Sequence, residues 1–251
     1  MIRLKAEALS VVRGNRRVLH DVNLDCGGGE FIAVIGPNGS GKSTLLATLA
    51  GLLPAEAGAV LLDGQPLAAV LPRALAQRRG YLPQNARCEW PLPVERMVAL
   101  GLMATAPGLR RSTRSEQARI DDVLADCDLT AQRHQAVTTL SGGELARAML
   151  GRALVGDPEL LIVDEPLAGL DPKHAWDAAL RLQQLAKDQG KLVIAALHDI
   201  NIALRCATRV WAMKAGCLAD HASPTQVSET ALRELFDLDA GFDYALWRPP
   251  V

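Results

Sequence analysis

The stretch Gly36-Pro37-Asn38-Gly39-Ser40-Gly41-Lys42-Ser43-Thr44 decides how the rest of the chain is read. It fits the pattern G-x-x-x-x-G-K-[ST] and follows the apolar run Phe31-Ile32-Ala33-Val34-Ile35, with a helix-forming segment after it. Glycines at these spacings let backbone N–H groups curl around phosphate oxygens, and the N-terminus of the following helix adds positive potential at the same place. Lys42 is expected to reach the β- and γ-phosphates of a nucleotide, and Ser43 to offer its hydroxyl to Mg²⁺. A strand, a glycine-rich loop and a helix in that order imply an α/β core.

A second apolar run, Leu160-Leu161-Ile162-Val163, ends on Asp164-Glu165. Ligands of open α/β sheets bind beside such strand ends. Asp164 is therefore expected in the Mg²⁺ shell, and Glu165 as general base or water-orienting group for attack on a γ-phosphate. Working outward, residues 2–9, 18–25 and 59–63 read as short strands of an antiparallel edge layer, and 80–83 as another strand end. Residues 42–53 read as a helix closed by Pro54. Strand–helix alternation resumes with a helix over 173–187 and a strand over 192–197. Between them, residues 87–158 turn helical. Thr113 and Glu116 form a capping box, and Ile120, Val123, Leu124 and Cys127 fall on one helical stripe. The expected organisation is a core of 1–86 and 159–219, an inserted helical lobe of 87–158 and a helical tail of 220–251, together one folding unit.

Composition narrows the function classes. The net charge of −1 over 251 residues gives no bulk electrostatic case for nucleic acid, and 4% aromatic content argues against a base-stacking surface. Cys26, Cys88, Cys127, Cys206 and Cys217 show no metal-ligand or Cys-x-x-Cys spacing and read as small buried hydrophobes of a reducing compartment. The apolar runs are far shorter than the roughly 20 residues of a membrane span, and no signal-peptide layout opens the chain. A soluble cytoplasmic protein is expected, meeting a membrane only through partners. The run Arg110-Arg111-Ser112-Thr113-Arg114 is expected to be a solvated loop before a capped helix.

Leu140-Ser141-Gly142-Gly143-Glu144 lies between the two nucleotide motifs and offers a second cradle of N–H donors at a helix start. With this third motif the chain, up to about residue 220, closely resembles the ATP-binding cassette (ABC) ATPase family. The resemblance implies a P-loop NTPase (RecA-like) α/β core with an antiparallel β edge layer and an inserted α-helical subdomain, and ATP and Mg²⁺ as cofactors. It also implies roles. Gln84 matches the glutamine that senses Mg²⁺ and the attacking water, and His198 the switch histidine at the γ-phosphate. Asp171, in Leu167-Ala168-Gly169-Leu170-Asp171, matches an aspartate reaching across a dimer. Two ATPs would be sandwiched between two subunits, with Ser141 and Gly143 of one completing the Lys42 site of the other. Where the family carries an adenine-stacking aromatic this chain has Arg13, an arginine plane that can stack on a base or point away. Leu145-Ala146 and Leu167 also depart from the commoner residues, with no loss of activity expected.

Within the family, Leu197-His198-Asp199-Ile200-Asn201-Ile202-Ala203 and Trp90-Pro91-Leu92-Pro93-Val94-Glu95 resemble importers for ferric siderophores, haem and cobalamin. That implies integral membrane permease subunits, a second ATPase subunit, usually an identical copy, and a periplasmic or extracellular substrate-binding protein acting indirectly. It implies a peripheral place on the cytoplasmic face of the inner (cell) membrane and no nucleic acid. Trp90 reads equally as a partner contact or as a buried structural tryptophan. The leading cargo is a ferric siderophore, with haem, cobalamin or a metal ion as alternatives. A soluble cluster-assembly ATPase is the alternative of a different class.

Overall fold

A computed structural model describes residues 1–104 and 113–238. The chain opens with two long strands, β1 (Arg3–Arg13) and β2 (Arg16–Gly27), then β3 (Phe31–Ile35) and helix α1 (Lys42–Leu49). Strands β4 (Ala57–Leu62) and β5 (Gln65–Pro66) follow, with α2 (Pro72–Arg78) leading into β6 (Arg79–Leu82). The next stretch holds α3 (Val94–Ala99), α4 (Arg114–Asp126) and α5 (Gly142–Leu154). The chain then alternates through β7 (Leu160–Asp164), α6 (Pro172–Lys187), β8 (Leu192–Ala196) and α7 (Ile200–Cys206), and closes with β9 (Arg209–Lys214), β10 (Cys217–Ala222) and α8 (Glu229–Phe236).

Two sheets result. The antiparallel one has the order β2-β1-β4-β5, and the larger one the order β10-β9-β3-β8-β7-β6, parallel except for the β9–β10 pair. Every residue of β3, β7 and β8 is buried, as expected of apolar five-residue strands, one ending on Asp164, covered on both faces. Alternate residues of these strands feed two separate cores. Ile32, Val34, Leu160 and Ile162 pack with Leu45, Leu46 and Leu49 of α1 and with the antiparallel sheet. Phe31, Ala33, Leu161 and Val163 pack with Ala148 and Met149 of α5 and Ala179 and Leu182 of α6. Ile120, Leu124 and Cys127 of the α4 stripe join this second core, so the helical lobe shares its interior with the sheet.

Several elements differ from their expected extents, each for a local reason. Strand β1 runs on to Arg13 because an irregularity between Ala6 and Leu9 absorbs Ala8 at φ 49°, resetting the in–out alternation that made the strand look complete. Helix α1 stops at Leu49, before Pro54 is reached. Gly51 takes the left-handed conformation (φ 70°), its N–H bonds Thr48 O at 2.9 Å, and the Leu52 N–H bonds Ala47 O at 2.9 Å. These are the paired bonds of a glycine-closed helix end. Helix α2 and the hairpin β9–β10 were not expected. The boundary expected at residue 220 falls inside β10, and α8 is the helix of the tail among the described residues; 239–251 and the Arg110–Ser112 part of the basic loop lie outside them. The Thr113–Glu116 capping box forms at the start of α4. Of the cysteines, all of them free, Cys26, Cys127 and Cys206 are buried, but Cys88 is half-buried and Cys217 exposed. Burial pushes the Cys127 thiol up to about 12.

At Gly51 a Cβ would also lie 3.0 Å from Leu67 Cδ2 and 3.1 Å from Leu75 Cδ2. Gly51→Ala is therefore expected to lower stability by about 1–3 kcal/mol, read as a fall in the urea midpoint at unchanged slope.

Candidate nucleotide-binding and hydrolytic site

The parallel register determines where the polar groups go. Leu82 pairs with Val163, Asp164 with Ala196, and Val34 with Ala196 from the other side, so β6, β7, β8 and β3 all end at one edge. Gln84 comes two residues after β6, Glu165 one after β7 and His198 two after β8. The phosphate-binding loop leaves β3 at the same edge, and the four features converge there.

The loop is held from behind by the β9–β10 turn. Gly36 has φ 146°, and a Cβ on it would sit 2.1 Å from Met213 O; the Gly216 N–H bonds Ser40 O at 2.9 Å. Strand β2 closes the other side, with Leu19 Cδ2 3.0 Å from where a Gly41 Cβ would lie. Lys42, only 6% exposed, bends back over the loop and donates to Gly36 O at 2.8 Å and Pro37 O at 3.1 Å. Burial lowers its pKa, and the nearby Glu165 and Asp164 carboxylates oppose that shift. Arg13 ends β1, exposed, paired in register with Arg16.

Asp164 is 3% exposed. Burial raises its carboxyl pKa, and a hydrogen bond from Ser43 pulls it down. Its Oδ1 is buried without a partner, as is Ser40 Oγ. Buried polar atoms are normally satisfied, so these two mark where a ligand's polar groups belong. The donors suit Mg²⁺, which favours oxygen and is usually held by one or two carboxylates with substrate phosphates and water. The described residues contain no cluster of three or more His, Cys, Asp or Glu side chains able to hold a metal alone.

Glu165 leaves β7 with a left-handed backbone (φ 54°), its N–H bonding Ala196 O at 3.2 Å. Its Oε1 accepts from Gln84 Nε2 at 2.7 Å and faces His198 Nε2 at 2.6 Å. Three side chains far apart in sequence thus meet at one carboxylate oxygen. Beside them, Glu165, His198, Leu170, Trp176 and Arg205 help to line a cavity of about 500 Å³.

The remaining candidates sit at two helix starts, those of α5 and α6. Ser141 caps α5: its Oγ accepts from the Glu144 N–H, and the Ser141 N–H donates back to Glu144 Oε2 at 2.8 Å. The Gly143 Cβ position is 3.5 Å from Gly169 O, so this turn packs against the 167–171 loop of the same chain. Asp171 caps α6, its Oδ1 accepting from the His174 N–H at 3.0 Å. The imidazole of His174, which sequence reading passed over, contacts the other oxygen of Asp171 at 2.6 Å. Its signal was the Asp-x-x-His spacing across a helix start, which puts both side chains on one turn.

A parallel α/β sheet, a lysine-bearing phosphate loop and an acidic strand end define a P-loop ATPase. The ABC transporter family matches residues 19–168, and the chain belongs to it. Among its relatives, the hemin import ATP-binding protein HmuV of Rhodopseudomonas palustris is 39% identical over 94% of this chain and 88% of its own length. The protein of the same name from Nocardia farcinica is 40% identical over 92% of this chain and 81% of its own. A dimeric ATP-binding cassette in a post-hydrolysis state, bound to ADP and Pi, superposes with a TM-score of 0.79 at 26% identity, covering 88% of this chain and 98% of that one. A nucleotide-free cassette from an ABC transporter, at 23% identity and a TM-score of 0.78, covering 94% and 95%, repeats the fold. The chain is an ATP-binding ATPase with the P-loop core, antiparallel layer and inserted helices expected from its sequence.

Because burial raises the Asp164 carboxyl above its ordinary 3.8, ionising it in the folded chain costs stability. That cost is absent below 3.8, where the group is protonated folded and unfolded, and is complete above the folded value. Asp164→Asn should therefore raise the thermal midpoint of the nucleotide-free protein at neutral pH, the gain shrinking as pH falls towards 3.8.

Proposed function

We propose that this chain is the ATP-hydrolysing subunit of an importer, peripheral on the cytoplasmic face of the inner (cell) membrane, driving uptake of an iron chelate. The observation that carries the hydrolytic part is the meeting of Gln84, Glu165 and His198 at the strand edge beside the Lys42 loop. The importer part rests on the hemin import relatives. They move the preferred cargo from the ferric siderophore expected from sequence to haem.

On this reading Lys42 exchanges the carbonyls of Gly36 and Pro37 for the β- and γ-phosphates, while the N–H groups of residues 38–44 surround them. Ser43, Asp164 and Gln84 would hold Mg²⁺, which when bound neutralises phosphate charge. Glu165 orients and deprotonates the attacking water. Its Oε1 accepts from Gln84 and faces His198, and the γ-phosphate is the group that would draw His198 away. Ser141, Gly142, Gly143 and Asp171 face a second copy of the chain, and the two subunits close around two ATPs. Permease subunits sit against the segment after Gln84, where Trp90 is 71% exposed rather than buried. Among the described residues no helix is long and apolar enough to cross a membrane, so the translocation path belongs to those partners.

Glu165→Gln is expected to bind ATP, to accumulate a closed dimer and to lose about 10²–10⁴-fold in hydrolysis rate. Hydrolysis at the normal rate would remove Glu165 from its role. Affinity capture from native membranes tests the importer. Recovery of a many-spanning membrane protein supports it, and its ATPase rate can then be compared with haem, ferric siderophore and cobalamin present. Recovery of soluble partners alone, as for a cluster-assembly ATPase, would sink it.

A further inference from the structure

An aspartate that caps a helix needs one carboxylate oxygen for the backbone N–H; the second is ordinarily left to water. The terminal torsion of aspartate is broad, so one contact leaves the carboxylate free to turn. Asp171 differs. Its Oδ1 accepts from the His174 N–H at 3.0 Å, while its Oδ2 lies 2.6 Å from His174 Nδ1. The imidazole is half-buried, and its Nε2 is 3.7 Å from Asp128 Oδ2, just after α4 in the helical lobe. Asp128 O in turn accepts from Arg147 of α5 at 3.5 Å. Seven residues along the same face of α6, Arg181 pairs with Asp126. On the neighbouring turn, Gln132 donates to Glu144 at 3.0 Å, and Glu144 holds Ser141. Two pieces therefore meet at His174, the 167–171 loop and the segment after α4, and that segment is bonded in turn to α5.

We propose that His174 is a positioning residue: its imidazole holds the Asp171 carboxylate in one orientation, beside Asp128 of the lobe that presents Ser141. The proposal rests on the reading of Asp171 and Ser141 as surfaces facing a second copy of the chain. The helix cap itself does not need the ring, since the His174 backbone N–H supplies it in any variant. What the ring adds is a second hold on the carboxylate. With it, the Asp171 carboxylate arrives at the partner already oriented; without it, Asp171 must be ordered anew at each closure.

The test uses the full chain and three variants. His174→Ala removes both ring contacts, His174→Asn keeps a donor near the Nδ1 position, and His174→Gln reaches towards Asp128 but not Asp171. His174→Ala is expected to lower kcat about tenfold with KM for ATP within about twofold, since the Lys42 half of the site is untouched. His174→Asn is expected to recover kcat to within about threefold of the parent, and His174→Gln to resemble His174→Ala. In a Glu165→Gln background, sedimentation should show a weaker ATP-dependent dimer for His174→Ala. Equal losses in His174→Ala and His174→Asn, or no loss in either, would overturn the proposal. A Glu165→Gln chain that forms no ATP-dependent dimer would remove the two-subunit reading and the proposal with it. If that dimer forms and His174→Ala leaves both it and kcat unchanged, the assignment of His174 alone falls.

Discussion

Burial of β3, β7 and β8 on both faces is the constraint on which the remaining structure depends. Strands so deeply buried must satisfy their backbone groups by pairing with neighbouring strands, and parallel pairing in one register brings their ends flush. Nothing about Gln84, Glu165 or His198 as isolated residues would gather them. Each lies one or two residues past a strand whose position is set by apolar packing, and the packing delivers them to one carboxylate oxygen. The phosphate loop inherits its place from β3 in the same way and is then braced by Met213 and Gly216 of the β9–β10 hairpin.

The site is electrostatically costly until it is used. Lys42 and Asp164 are both held in surroundings that penalise their charged forms, and Asp164 Oδ1 and Ser40 Oγ are buried without partners. Groups buried in that condition have little water to shed before meeting an incoming phosphate or cation. Lys42 gives up two backbone carbonyls, both of which belong to the loop that would receive the ligand.

Much of this is legible in the sequence. The phosphate loop, the acidic strand end and the Ser141-Gly142-Gly143 turn each pair a residue pattern with a local backbone need, so their elements could be placed within a few residues. Reading failed where the deciding factor was a backbone irregularity or a distant neighbour. Ala8 hid the continuation of β1, and Gly51 ended α1 ahead of the more conspicuous Pro54. The hairpin β9–β10 was missed because its second strand is mostly exposed and carries no apolar run. Trp90, which sequence left open between core and surface, is exposed. The contact between His174 and Asp171 was within reach, since it spans a single helical turn, but no motif pointed to it.

The division of one sheet into two cores sets a limit on how this chain can change length. Ile162 faces α1 and Val163 faces α5 and α6, so sequence neighbours answer to opposite halves of the molecule. Inserting or deleting one residue in β7 would exchange every side chain between the halves and carry Asp164 and Glu165 out of place in the same step. The central strands therefore behave as a fixed reading frame. Drift in length is confined to the connections, where a whole lobe could be lodged between β6 and β7 without shifting a single strand residue.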